Sequence, residues 1–149
     1  MSIIRITKKF EFEMAHALAG YNGLCRNIHG HSYKLFVTVK GEPETAPDSP
    51  KDGMVFDFSE LKKIIQKEII EKFDHALVLN EKINSDDIFK TSEMFGNIIL
   101  VDFQPTCENL LNDFAFRIKK IIPKNISLHS LKLCETSTSF AEWFAKDNL

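Results

Sequence analysis

The chain has 149 residues, 44% of them apolar and 27% charged, and a net charge of −2. That length supports one domain, residues 1–149, with a sizeable core, and the near-neutral charge gives no reason to invoke nucleic acid or an anionic membrane as partner. No apolar run approaches the roughly 20 residues that span a bilayer, and the first residues enter a strand pattern at once, so no signal or transit peptide is expected.

Ile4, Ile6, Phe10, Phe12 and Met14 share one parity, interrupted only by Lys8, which predicts a first strand over 3–16. His16 continues that apolar parity at the strand's end. A lone histidine there is more often a hydrogen-bonded core residue than a ligand. After a loop, the segment Cys25-Arg26-Asn27-Ile28-His29-Gly30-His31 leads into a second alternating run, Tyr33, Leu35, Val37 and Val39. Residues two apart on a strand point to one face, so His29 and His31 project side by side. If the loop from 17 to 28 lets the two strands pair, His16 lies at the same end. Three neutral imidazoles suit a divalent metal, and three protein ligands leave the fourth tetrahedral position open, as in catalytic zinc.

Gly41 to Gly53 reads as a solvated connection. Asp57, with Glu60 three residues on, is a plausible capping pair for a helix whose stripe Leu61, Ile64, Ile65, Ile69 and Phe73 is core. Residues 80–97 are polar and irregular. Ile98 to Phe103 suggests an extra edge strand, and Thr106 caps a second helix marked by Leu110, Leu111, Phe114, Ile118 and Ile121 and stopped by Pro123. Leu131 and Leu133 alternate with polar neighbours in a third long strand, and a last one lies near 140–145. The order ββ–α–α–ββ predicts an α+β fold: an antiparallel sheet with two helices on one face.

Further chemistry is scattered along the chain. Parity puts Glu135 on the face of Leu131 and Leu133, where a carboxylate needs partners; either the strand ends before it, or it reads a ligand by accepting two parallel N–H donors. Glu108 sits in the first turn of the second helix, where the macrodipole favours its charge. Asp74-His75 allows a carboxylate to orient an imidazole for proton transfer. His129 is expected to be structural or exposed. The three cysteines form no disulfide framework, which points to a reducing, cytoplasmic setting. Cys134 reads as packing, and Cys107 opens a helix, which could lower its pKa. Cys25 could complete a closed Cys-His₃ metal site, or act beside the cation as base or nucleophile.

Six stretches in this order resemble the 6-pyruvoyltetrahydropterin synthase / 6-carboxytetrahydropterin synthase family: Phe12-Glu-Met-Ala-His16, Cys25-x-x-x-His29-Gly-His31, Gly53-Met-Val-Phe-Asp-Phe58, Asp74-His75 with Leu79-Asn80, Pro105-Thr-Cys-Glu-Asn109 and Glu135-Thr136. The resemblance implies the tunnelling fold, ββααββ, whose subunits form trimeric barrels that stack into homohexamers with sites at subunit interfaces. It implies zinc held by His16, His29 and His31, and catalysis by Cys25, Asp74 and His75, with the cysteine and the Asp-His pair expected from neighbouring subunits. Glu135 would anchor the pterin, with Glu108 and Thr106 assisting.

The three residues between Cys25 and His29, and the Asp57-Phe58 pair, look like the queuosine-pathway branch. Its members convert 7,8-dihydroneopterin triphosphate to 6-carboxy-5,6,7,8-tetrahydropterin, acetaldehyde and triphosphate. The nearest alternative is the pyruvoyl enzyme, which stops at triphosphate elimination; a non-catalytic zinc- or pterin-binding module is another. Met14 stands where the family usually has a small residue, and the segment around 80–97 is longer than in compact members. Arg26 and Lys34 are candidate cations for the triphosphate.

Overall fold

A computed structural model of the protein describes residues 2–83 and 92–149. Two long strands, β1 (Ile4–His16) and β2 (His29–Gly41), pair antiparallel along their whole length, with His16 opposite His29 at one end and Ile4 opposite Gly41 at the other. Their strict alternation fixes this register, because a slip by one residue would turn every apolar side chain to the other face. Phe10, Phe12, Met14 and His16 are buried on β1, and Tyr33, Leu35, Val37 and Val39 on β2.

Four further strands flank this pair: β3 (Ala76–Asn80), β4 (Ile98–Val101), β5 (Ser127–Cys134) and β6 (Phe140–Phe144). The sheet order is β4-β3-β1-β2-β5-β6. The run from β1 through β2 and β5 to β6 is antiparallel throughout, as the sequence pattern predicts. The short strands β3 and β4 extend the free edge of β1 in parallel, so the complete sheet is mixed. The extra strand expected near 98–103 is β4, at the outer edge. The core of the 80–97 segment, residues 84–91, lies outside the described residues.

The helices cover the buried face. Helix α1 (Phe58–Ile65) continues through a π-helical stretch, Gln66–Ile70, into a closing turn, Glu71–Phe73. The wider turn brings both Ile69 and Ile70 into the core beside Leu61, Ile65 and Phe73. Asp57 caps α1 by accepting from the Ser59 N–H at 2.6 Å, but Glu60 does not complete a capping box. It binds Lys51 at 2.6 Å instead, tying the 41–57 connection to the helix.

Helix α2 (Cys107–Ile121) is capped by Thr106, whose side chain accepts from Asn109 N–H. Its residues Leu110, Leu111, Phe114 and Ile118 seal the core, where Phe114 meets Phe12 and Phe73 edge-on at 6.3 and 5.0 Å. Burying such a ring fully contributes on the order of 2–3 kcal/mol, and truncating it costs more because a cavity remains. That clamp of α2 onto β1 sets the segment before the helix against the histidine end of the sheet.

Candidate metal centre and active site

The hairpin brings His16, His29 and His31 together, with one ring nitrogen of each within 4.8 Å of the others. The His16 and His29 ring centroids are 4.5 Å apart, and His31 stands edge-on to both at 5.2 and 5.0 Å. Backbone carbonyls decide which nitrogens face inward. His16 Nδ1 lies 2.7 Å from the Pro105 carbonyl and His29 Nδ1 lies 2.7 Å from the Asn27 carbonyl. A carbonyl only accepts, so each Nδ1 carries the hydrogen, and each neutral ring turns an Nε2 lone pair inward.

Those two lone pairs face each other at 3.1 Å, and His31 Nε2 is buried with no hydrogen-bond partner among the described residues. Three unpaired donors aimed at one point repel one another unless a cation lies between them. Ligands about 2.0–2.1 Å from a tetrahedral zinc lie about 3.3 Å apart, so the cluster fits such an ion with small adjustments. Carbonyl bonds at the outer nitrogens are the usual means of fixing ligand orientation. Burial holds the His16 imidazole below its ordinary range, against the raising influence of the Pro105 carbonyl and Glu135, which keeps the ring in its ligating form.

Strand β5 ends at Cys134, and Glu135 turns back toward the triad rather than out to water. Its Oε1 lies 3.5 Å from His16 Nε2 and 3.7 Å from His31 Nε2, and it accepts from the Tyr33 hydroxyl at 3.2 Å. Tyr33 is fully buried, stacks on Phe12 at 5.3 Å, and its own proton is held more tightly by burial and by the Glu135 charge. Its place two residues after His31, on the same face, was a usable signal: a phenol in an apolar row needs a polar partner. Glu135 also lines a cavity of about 380 Å³ with Gly30, His31, Lys34, Thr136 and Ser137.

Asp74 and His75 form a second centre at the start of β3. Asp74 Oδ1 accepts from Glu13 N–H at 2.9 Å and lies 3.1 Å from His75 Nδ1, while His75 N–H donates to the Glu13 carbonyl at 2.6 Å. The pair thus grips both polar groups of Glu13 on the β1 edge. His75 adopts a φ of +59°, a left-handed conformation that costs a non-glycine residue roughly 1–2 kcal/mol. Its side chain is 78% exposed and lines a cavity of about 500 Å³ with Glu13, Ala15, Ser32 and His31. Glu13, Ala15 and Ser32 have the opposite parity to the buried row of the sheet, so this cavity opens largely on the other face. Met14 is itself 3% exposed and borders the same cavity.

Cys25 lies exposed in the β1–β2 connection, in a single 3₁₀ turn (Leu24–Arg26). Its thiol does not complete the metal cluster, which among the described residues gathers only the three histidines. Glu108 is not gathered at the triad. It is exposed in the first turn of α2 and lines a shallow hollow with Ala141, Glu142 and Phe144. Thr106 serves as the α2 cap. Cys107 departs from the expectation of a lowered pKa, because burial and the nearby Glu135 charge push its thiol up to about 12, and it donates to the Leu133 carbonyl. His129 is the extra residue where β5 bulges against β2, and it accepts from Arg5 Nε at 2.9 Å.

Fold and site together define an α+β protein with a cluster of three imidazoles that could hold a metal ion. The sequence profile of the 6-pyruvoyl tetrahydropterin synthase family matches residues 5–146, and the chain belongs to that family. It is 36% identical over 147 residues to the 6-carboxy-5,6,7,8-tetrahydropterin synthase of Haemophilus influenzae, covering 95% of this chain and 99% of that one. The protein of the same name from Rickettsia typhi is 33% identical over 94% of this chain and 99% of its own length. Among solved structures, an uncharacterized protein of Wolinella succinogenes superposes with a TM-score of 0.79 at 21% identity, covering 97% of this chain and 99% of that one. The 6-pyruvoyl tetrahydropterin synthase of Caenorhabditis elegans gives 0.69 at 24% identity, with 97% of each chain covered. These likenesses establish the tunnelling fold that the sequence implied.

Proposed function

We propose that the chain is a zinc-dependent 6-carboxytetrahydropterin synthase acting on 7,8-dihydroneopterin triphosphate, in the queuosine branch of 7-deazapurine biosynthesis. The observation that carries this reading is the convergence of three imidazoles, two of them turned by backbone carbonyls, with the buried His31 Nε2 unpartnered among the described residues. The name borne by relatives that match nearly the whole chain supports the choice of the carboxy product. Residues 1–149 work as a single domain of this family, in the cytoplasm.

His16, His29 and His31 would hold the zinc, which when bound would supply Lewis-acid polarisation to the substrate's side-chain hydroxyls. Glu135 accepts two parallel N–H donors from the pterin ring, with Tyr33 holding its Oε1 in place. Glu108 and Thr106 assist from the start of α2. Cys25, as thiolate, moves protons on one side of the substrate. His75 serves the other, with the Asp74 carboxylate 3.1 Å from its Nδ1 to orient the ring for proton transfer. Lys34, on the wall of the Glu135 cavity, and Arg26 are the cations offered to the triphosphate.

The opposite parity of the His75 cavity favours a shared site. In the proposed homohexamer, a dimer of trimers, His75 and Asp74 act on substrate bound at a neighbouring copy's triad. Incubating the zinc-loaded protein with 7,8-dihydroneopterin triphosphate tests the reaction. Mass spectrometry should find 6-carboxytetrahydropterin and acetaldehyde. A pyruvoyl product without acetaldehyde would contradict the carboxy assignment, and the absence of any turnover would favour a binding module.

A further inference from the structure

The connection that carries Cys25 is fastened at its far end by the His29 ring on the Asn27 carbonyl and at its near end by the Gln104 side chain. Gln104 Nε2 donates to the Ala19 carbonyl at 2.5 Å, and Ala19 N–H donates to Gln104 Oε1 at 3.2 Å. The planar amide therefore meets a backbone residue at two points, much as a neighbouring strand would. Gln104 is itself pinned, because its carbonyl accepts from Thr106 N–H at 2.8 Å and from Asn109 Nδ2 at 3.0 Å. The carbonyl of the next residue, Pro105, is the one that orients His16.

From Ala19 the contact passes directly to the thiol's segment. Leu18 N–H donates to the Cys25 carbonyl at 2.9 Å, and the Leu18 carbonyl accepts from Tyr21 N–H at 3.2 Å. Apart from the His29 contact at Asn27, the connection presents exposed side chains: Tyr21, Leu24, Ile28 and Cys25 itself. One rigid segment, 104–105, thus holds the metal ligand His16 through a carbonyl and the Cys25 connection through an amide.

We propose that Gln104 is a positioning residue for Cys25, fixing the thiol's segment relative to the triad through Ala19 and Leu18. The inference rests on Cys25 being the proton carrier of the proposed reaction. Gln104 lies one residue before the Pro105–Asn109 stretch that carries the family resemblance, and its side chain bonds Ala19 rather than any residue assigned to the chemistry.

Two variants test it in the zinc-loaded protein. Gln104→Ala removes both contacts. Gln104→Glu keeps the volume but sets a carboxylate oxygen against the Ala19 carbonyl. Alkylation of Cys25 by iodoacetamide, followed by peptide mapping, should run about tenfold faster in both, the order expected for losing two net hydrogen bonds. Bound zinc should stay at the parental level, and kcat should fall by a similar factor with KM within about twofold, since positioning rather than binding is lost. Gln104→Asn, which keeps both amide functions, carries the comparison should the other two not fold. Unchanged Cys25 reactivity in folded variants would overturn the proposal, and so would zinc lost in step with the reactivity change. If the parental protein does not turn over the pterin triphosphate, the synthase reading fails, and the alkylation rates still decide the role of Gln104.

Discussion

The triad end of the β1–β2 hairpin and the Asp74–His75 corner carry the same kind of residue in opposite conditions. His16 is 2% exposed, its ring fixed by a carbonyl and its free nitrogen aimed at two others. The His75 side chain is 78% exposed, on a backbone held at a φ of +59° by two hydrogen bonds to Glu13. The first centre is finished within one chain. The second is oriented but uncovered, and its strain is sustained by hydrogen bonds that also tie the start of β3 to the edge of β1. Strain at an exposed imidazole points to selection for reactivity, whereas burial at the triad leaves the His31 Nε2 unpartnered among the described residues, as a metal ligand would be.

Removing a ligand should separate the two centres most sharply. His29→Ala should weaken zinc binding by more than the roughly 10–100-fold that losing an outer partner of a ligand costs, read by competition with a chelator. His75→Gln should leave zinc content unchanged and lower kcat by about 10²–10⁴-fold, the usual worth of a general acid or base. Loss of zinc in His75→Gln would break the distinction between the two centres.

Acidity sharpens it in the metal-free protein. Burial holds His16 below the ordinary 6.5, so the unfolded chain binds a proton there that the folded chain refuses. Stability should then be level above that value and fall as the pH drops through it toward the lower folded value. Urea midpoints measured across that window check the sign, and His16→Gln should flatten the slope. Tyr33→Phe should cost about 0.5–1.5 kcal/mol of stability and weaken pterin binding, with the ring stack on Phe12 intact. The smallest effect is at the corner. His75→Gly should raise the urea midpoint by up to about 1 kcal/mol equivalent, because relief of the left-handed strain exceeds the entropy cost of glycine.

Much of the triad was legible because alternation is strict in both long strands. Parity put His29 and His31 on one face and His16 on the apolar face of its own strand, and the 17–28 loop, by letting the two strands pair, brought His16 to the same end. β3 was not legible: Ala76-Leu-Val-Leu-Asn80 is short and mostly buried, so it shows no alternation and reads as a tail of the helix before it. Its parallel pairing depends on β1, more than fifty residues earlier in sequence, which no local pattern encodes. Glu135 was readable as a carboxylate needing partners, but not that its partners would be Tyr33 and the triad. Gln104 gave no signal at all, since a glutamine before Pro-Thr looks like any loop residue until Ala19 is seen across from it.

The most direct test of the two-centre account is complementation between inactive variants. His29→Ala chains keep Asp74 and His75 but lack the metal centre, and His75→Gln chains keep the metal centre but lack the acid–base group. Mixed, dissociated and reassembled, they should recover a substantial part of the zinc-dependent conversion of 7,8-dihydroneopterin triphosphate. Mixtures as inactive as the separate variants, despite proven co-assembly, would contradict the claim that one copy's His75 serves another copy's triad.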